Sequence, residues 1–325
     1  MSDLENDNKK NASPEPTRIS CCQDLTSYFG NSDHSINKFH QTKVPVICKN
    51  EPCQLGVDEA GRGPVLGPML YGIAYAPLSK KDLLVELGCA DSKTLTEKER
   101  DEIFDKICDK HEDIGWIVEA ISPNVIANSM YRRSKCSLNE VSKNSAVGMI
   151  KMALEAGVNV HEVYVDTVGK PEKYQDYLKQ IFPEITKIVV AKKADSTYPI
   201  VSAASICAKV SRDHALKAWE FREDGIEGEY GSGYPNDPAT KKWLTDNVDN
   251  VFGFPQLVRF SWSTAEVILK KHALAVEWED EEDENVPKKQ KKMTNFFSPT
   301  NSAGKIVKQK HEFFKNSCLV ATTDL

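Results

Sequence analysis

Between residues 46 and 278 the chain alternates short apolar runs of strand length with segments whose apolar positions recur at helical spacing. Five runs predict strands: Gln54 to Asp58, Met69 to Ala76, Gly115 to Ile121, Glu162 to Asp166 and Lys187 to Ala191. The helices between them carry explicit start signals. Thr96-Glu97-Lys98-Glu99 and Ser137-Leu138-Asn139-Glu140 are capping boxes. The first opens a helix with Ile103, Phe104 and Ile107 on one face. The second carries Val141, Ser145, Met149 and Met152 and stops at Gly157. A third helix is predicted from about Ser202 to Phe221. Strands alternating with helices after an opening hairpin imply an α/β or α+β domain built on a mixed sheet.

The flanks read differently. Residues 1–45 are rich in Asn, Ser, Asp, Pro and Lys with little periodicity, which predicts a mobile extension. After Trp278 the composition turns acidic, then basic, then polar with paired aromatics, as in tails that carry short linear motifs. The N-terminus lacks a basic-then-apolar export signal and no window is apolar for membrane-spanning length, so the expectation is a protein that stays inside the cell and off membranes. Nine cysteines without a CxxC pair or metal-like Cys/His spacing argue against a disulfide framework and a structural zinc site. His214, the histidine nearest the motifs below, reads as a polar helix residue.

The formal charge of -6 argues against nucleic-acid binding by a global basic field until its location is considered. Seven acids lie between Glu277 and Glu284, and without them the rest of the chain carries a formal +1. Phosphate binding therefore has to come from local groups and not from a global basic field.

Three strands deliver an aspartate at or just after the apolar run: Asp58, Asp166 and Asp195. Singly, such residues are turn formers or helix caps. Together, and with Glu59, they form a hard oxygen set with no nearby His or Cys, suited to magnesium or manganese. An unpaired carboxylate near a core wants a cation. The matching chemistry is phosphoryl transfer with two ions per site. Neighbouring strand residues point to opposite faces, so Asp58 and Glu59 are expected to converge through a strand end at Gly61-Arg62-Gly63.

The stretch LGVDEAGRGPVLGPM, from Leu55 to Met69, resembles the type 2 ribonuclease H family. Further segments match in the same order: ADSKTL from Ala90, VYVDTVG from Val163, KADSTYPIVSAASICAKVSRD from Lys193 and YGSGYPND from Tyr230. Their wording resembles the catalytic subunit of the family's eukaryotic, heterotrimeric form, and the likeness covers residues 50–278. It implies an α/β ribonuclease H-like fold: a mixed five-stranded sheet flanked by helices over 46–225, and a small C-terminal helical region for substrate and subunits over 226–278. Residues 1–45 and 279–325 would be disordered. It also implies hydrolysis of the RNA strand of RNA/DNA hybrids and incision 5′ to single ribonucleotides in duplex DNA, leaving 5′-phosphate and 3′-hydroxyl ends. Two accessory subunits would complete a heterotrimer serving ribonucleotide removal in replication and repair. The family's four acids fall on Asp58, Glu59, Asp166 and Asp195. Ser196 departs from the smaller apolar residue that relatives often carry there.

Telling RNA from DNA requires sensing one 2′-hydroxyl. The resemblance gives contact with the ribonucleotide to Gly61, Arg62 and Gly63, and packing beside the junction to Tyr234; otherwise these read as a tight turn and a packed loop residue. Lys93, and Lys209 with Arg212 on one helical face, are candidate phosphate contacts, or else a solvated face. In the tail, Gln290, Met293, Phe296 and Phe297 have the spacing of a box that binds the sliding clamp PCNA; residues three apart share one side of a 3₁₀ turn. A weaker copy spans Leu25 to Phe29. The basic run Pro287 to Lys292 fits a nuclear import signal, so the nucleus is the expected location. Two alternatives explain less. A non-catalytic hybrid-binding scaffold has no need of four mutually repelling carboxylates, and a general two-metal DNA nuclease leaves the glycine loop and the tyrosine without a role.

Overall fold

The computed structural model describes residues 18–89 and 95–274; Lys93 and the clamp-box residues Gln290, Met293, Phe296 and Phe297 lie outside them. In chain order the helices are α1 (Cys22–Gly30), α2 (Val46–Asn50), α3 (Lys81–Glu86), α4 (Glu97–Asp109), α5 (Pro123–Tyr131), α6 (Leu138–Glu155), α7 (Pro171–Ile181), α8 (Pro199–Lys217), α9 (Pro238–Asp246) and α10 (Ser263–His272). The strands are β1 (Lys38–Gln41), β2 (Cys53–Ala60), β3 (Met69–Pro77), β4 (Gly115–Ile121), β5 (Val160–Asp166) and β6 (Lys187–Ala191). They form one mixed sheet in the order β1-β4-β3-β2-β5-β6. β2 pairs antiparallel with β3 and parallel with β5, and β6 adds in parallel outside β5. Both capping boxes form, at Thr96 and Ser137.

The sheet has six strands where five were expected, and the extra one comes from the segment read as a mobile extension. β1 pairs with β4, and α1 buries Leu25 and Phe29 against α4 and α8. Each such side chain contributes roughly 1.5–3 kcal/mol when buried, enough to hold a nine-residue helix that lacks a side-chain cap. The weaker clamp-like copy at Leu25 to Phe29 thus spends its apolar residues on the protein's own core. Its spacing of three and four is the period of an amphipathic helix, which composition alone concealed.

One core lies between the sheet and the layer of α1, α4 and α8; the other lies under α6 and α7. α8 sits close to the sheet because β2 and β3 carry glycines beneath it. A Cβ on Gly56 would come within 2.3 Å of the Ile200 carbonyl oxygen, and one on Gly72 within 2.5 Å of that of Ala204. Ala203, Ala204, Ser205 and Ala208 complete a small-residue seam. It lets the α8 backbone approach β2, and so brings Ser205 to Asp58. A third cluster, of Val65, Leu66, Trp243, Leu244, Leu257 and Val258, joins the C-terminal helices to the loop after β2. Among the described residues no helix is long and apolar enough to cross a membrane.

Candidate active site

Parallel pairing of β2 with β5 sets Val57 opposite Val165, so the next residues, Asp58 and Asp166, stand side by side at the carboxyl edge of both strands. Alternation puts both on the α8 face, since Val57 and Val165 pack in the opposite core. Asp195 arrives on a 3₁₀ turn (Ala194–Ser196) after β6, which Lys193 enters through the left-handed region at φ 56°. The Ala194 N–H donates to Asp166 Oδ1 at 2.7 Å, which ties that turn to the end of β5.

Glu59 reaches the same edge by another route than expected. β2 does end where Gly61-Arg62-Gly63 begins, but only after Ala60, too late to turn the two acids together, and the alternation holds through Glu59. Glu59 therefore faces the α6 and α7 side, where the Tyr71 hydroxyl donates to it, in a cleft with Arg62, Ser142 and Tyr174. Asp166, the last residue of its strand, also lines this cleft, so the four acids meet around the sheet edge and not on one face.

The electrostatics record this meeting. Burial first, then the negative charges of Glu59 and Asp166, push the Asp58 carboxyl up to about 8 against the opposing Ser205 hydroxyl bond. Burial, with the charges of Asp166 and Asp195, holds Glu59 up at about 7 although the Arg62 cation draws it down. Buried acids that repel one another are stable as anions only with a cation among them. The all-oxygen donor set of Asp58, Glu59, Asp166 and Asp195 fits a hard divalent ion of the magnesium or manganese kind.

The Gly61-Arg62-Gly63 loop is held from behind by residues that the sequence pattern did not single out. Arg259, 0% exposed, donates from Nη2 to the Gly61 carbonyl at 2.7 Å, from Nη1 to the Arg62 carbonyl at 3.1 Å and from Nε to the Gly67 carbonyl at 2.8 Å. The Trp262 indole N–H donates to the Gly63 carbonyl at 3.1 Å, and its ring lies 5.0 Å from the Arg259 guanidinium. A charged residue inside the run Val-Arg-Phe-Ser-Trp was the available clue. Arg62 itself turns toward α6, donating to Ser142 and Asn139.

Tyr234 lies over this loop, 51% exposed, its ring 3.2 Å from where a Cβ on Gly63 would stand. The Val65 N–H donates to the Gly233 carbonyl at 2.8 Å and fixes that approach. Arg212 is placed differently from the phosphate contact expected of it: its guanidinium donates to the carbonyls of Pro68 and Leu66, both at 3.3 Å, and so braces the loop. Lys209 is half-buried on α8. Lys143, Lys170 and Lys173 line the carboxylate cleft, cations that no sequence motif had marked.

The ribonuclease HII family model matches residues 55–265. A ribonuclease H2 subunit of Mus musculus is 52% identical over 284 residues, which cover 87% of this chain and 94% of the relative. Among solved structures, ribonuclease H2 from Pyrococcus horikoshii OT3 aligns with a TM-score of 0.57 and 34% identity, covering 68% of this chain and 98% of that one. The structure of the PCNA:RNase HII complex from Archaeoglobus fulgidus aligns with a TM-score of 0.50 and 32% identity, covering 59% and 85%. Long motifs in order, a shared fold and similarity over most of the chain lead to one conclusion: this chain belongs to the ribonuclease HII family and is a ribonuclease H.

Proposed function

We propose that the chain hydrolyses the RNA strand of RNA/DNA hybrids and incises 5′ to single ribonucleotides in duplex DNA, leaving 5′-phosphate and 3′-hydroxyl ends. The observation that carries this reading is the adjacency of two things: four coupled carboxylates at the sheet edge, and a rigid glycine turn capped by Tyr234. Asp58, Glu59, Asp166 and Asp195 would hold two magnesium or manganese ions. When bound, these ions supply activation of the attacking water and neutralisation of the leaving oxygen.

The protein's own groups would do the positioning. Backbone groups of Gly61 to Gly63 approach the ribose closely because two of the three residues have no side chain. The Tyr234 ring packs on the sugar while its hydroxyl bonds the 2′-hydroxyl. Lys143, Lys170 and Lys173, with Lys209, would contact phosphates. Arg259, Trp262 and Arg212 keep the turn from yielding when substrate arrives.

The same reading makes the chain the catalytic member of a heterotrimer that acts on ribonucleotides left in DNA by replication and repair. Its tail box, Gln290 to Phe297, would tether it to PCNA; the archaeal relative solved with PCNA supports that assignment. The basic run from Pro287 supports a nuclear location.

The deciding experiment compares three substrates: a duplex with one ribonucleotide, an RNA/DNA hybrid and an all-DNA duplex. The chain is assayed with candidate accessory subunits, and cut ends are mapped. Incision of the first two with 5′-phosphate products is expected, and comparable cutting of all-DNA duplex would refute the reading. Tyr234→Phe should slow single-ribonucleotide incision by at least about tenfold, the discrimination expected from one lost specific hydrogen bond, and leave long hybrids less affected.

A further inference from the structure

On the far side of α8 from the sheet edge, three residues distant in sequence meet: Cys22 at the start of α1, Asp101 on α4 and His214 near the end of α8. The Cys22 Sγ, a carboxylate oxygen of Asp101 and a ring nitrogen of His214 all lie within 4.8 Å of one another. His214 is 2% exposed, and Cys22 is buried as well.

The hydrogen bonding around His214 leaves a gap. Its Nδ1 lies 2.7 Å from Thr26 Oγ1. Its Nε2 faces Asp101 Oδ1 at 3.4 Å, yet neither atom makes a hydrogen bond, and both are buried. In the tautomer in which Nδ1–H donates to Thr26, Nε2 presents a lone pair to a carboxylate that also offers only lone pairs. Two buried acceptors so arranged are what a cation between them would satisfy.

Contrary to the expectation from Cys/His spacing, which sees only ligands near one another in sequence, we propose that Cys22, Asp101 and His214 bind a zinc ion, with solvent in the fourth position. Sulfur, imidazole nitrogen and carboxylate oxygen together form a borderline-soft set, unlike the all-oxygen set of the active site, and match zinc's preferences. Thr26 plays the part that an outer hydrogen-bond partner plays for most metal-bound histidines: it fixes the tautomer and aims Nε2 inward. Asp105 sits behind the thiol, accepting from the Cys22 N–H at 2.7 Å and from its Sγ at 3.6 Å. Coordination replaces the thiol's S–H with an S–Zn bond, and the proton leaves to solvent. Asp101 is 21% exposed and provides the entry path. The ion would pin α1 to α4 and to α8, the helix that carries Ser205 and Arg212 to the active site.

The test uses the full-length chain, stripped by chelator and titrated with cobalt(II) and then zinc in excess magnesium, which occupies the active-site carboxylates. The expected result is about one equivalent bound per chain, a thiolate-to-cobalt charge-transfer band that zinc abolishes, and a rise in Tm with zinc. Cys22→Ser and His214→Gln should each lose the band, while Cys21→Ser keeps it. Because loss of α1 in the variants would also remove the band, X-ray absorption at the zinc edge of the wild-type protein is the second measurement. It should show one sulfur at about 2.3 Å among nitrogen and oxygen ligands. No bound metal in a folded chain, a first shell without sulfur, or a band that survives Cys22→Ser would overturn the site.

Discussion

The Arg259 Nη2 donates across 198 residues of sequence to the carbonyl oxygen of Gly61, 2.7 Å away. A guanidinium is shaped for this. Its planar fork serves the Gly61, Arg62 and Gly67 carbonyls at once, so the glycine turn beside the four acids is held by a cation that never reaches solvent. The C-terminal region is thereby part of the active site's support and not an appendage.

Arg259→Lys should be destabilising. A lysine ammonium cannot span three carbonyls in the same plane, and each one left unbonded costs about 1–3 kcal/mol. Urea unfolding should show a loss of about 2–4 kcal/mol, with cleavage at a single ribonucleotide reduced more than hybrid binding. A change within about 0.5 kcal/mol, the range of ordinary surface substitutions, would count against the latch.

Gly61→Ala should distort the same turn from the front. Gly61 has φ +74°, and an added Cβ would lie 2.0 Å from Arg212 Nε. The left-handed backbone alone costs about 1–2 kcal/mol for a residue with a Cβ, and Arg212 must give up its hold on Leu66 and Pro68. Steady-state cleavage should fall by about a hundredfold, the scale set by a misplacement of about 1 Å. Retained wild-type kcat would show the turn to be tolerant.

On the proposed metal-holding role of Asp58 and Asp166, Asp58→Asn and Asp166→Asn should each abolish cleavage while hybrid binding measured by fluorescence anisotropy persists, because the proposed phosphate contacts are untouched. Incision by both variants at wild-type rates in saturating magnesium would remove these residues from the chemistry.

Metal removal should expose the repulsion at the sheet edge as a pH-dependent loss of stability. The folded-state values of Asp58 and Glu59, about 8 and about 7, lie above their ordinary values of 3.8 and 4.5. Their contribution is fully present below the ordinary carboxylate range and is lost as pH rises through the raised values, because the unfolded chain ionises first. In chelator, wild type should therefore lose stability relative to Asp58→Asn between pH 5 and pH 8, and excess magnesium should narrow the difference. Comparing the two chains cancels the other titrating groups. A difference that is flat across this range would contradict the coupling.

Phe296→Ala with Phe297→Ala should abolish binding to PCNA in a titration of the full-length chain and leave cleavage in solution unchanged. Undiminished affinity would place any clamp contact elsewhere.

The candidate site was partly legible. All five predicted strands form, and the two capping boxes start their helices at the expected residues, because strand period and caps are local properties. The strand does end at the glycine loop as expected, but Glu59 joins the other acids by a different route, because β2 keeps its alternation through Ala60 and leaves Glu59 on the face opposite Asp58. The N-terminal helix and edge strand were missed, because their polar composition masked the few apolar residues, Leu25 and Phe29 among them, that dock on α8 and α4.

Taken by itself, the order of residues determined which side chains are chemically able to act: four acids at or just after strand-like runs, a glycine turn, and a tyrosine between Gly and Pro. Those are matters of identity and short-range spacing, and they survive without coordinates. Only the folded chain decided which distant groups touch. The parallel register of β2 with β5 sets Asp58 beside Asp166, small residues let α8 bring Ser205 to Asp58, and a buried arginine from the far end locks the turn. Pairing register and burial are set by contacts between segments far apart in the chain, and no local pattern encodes them.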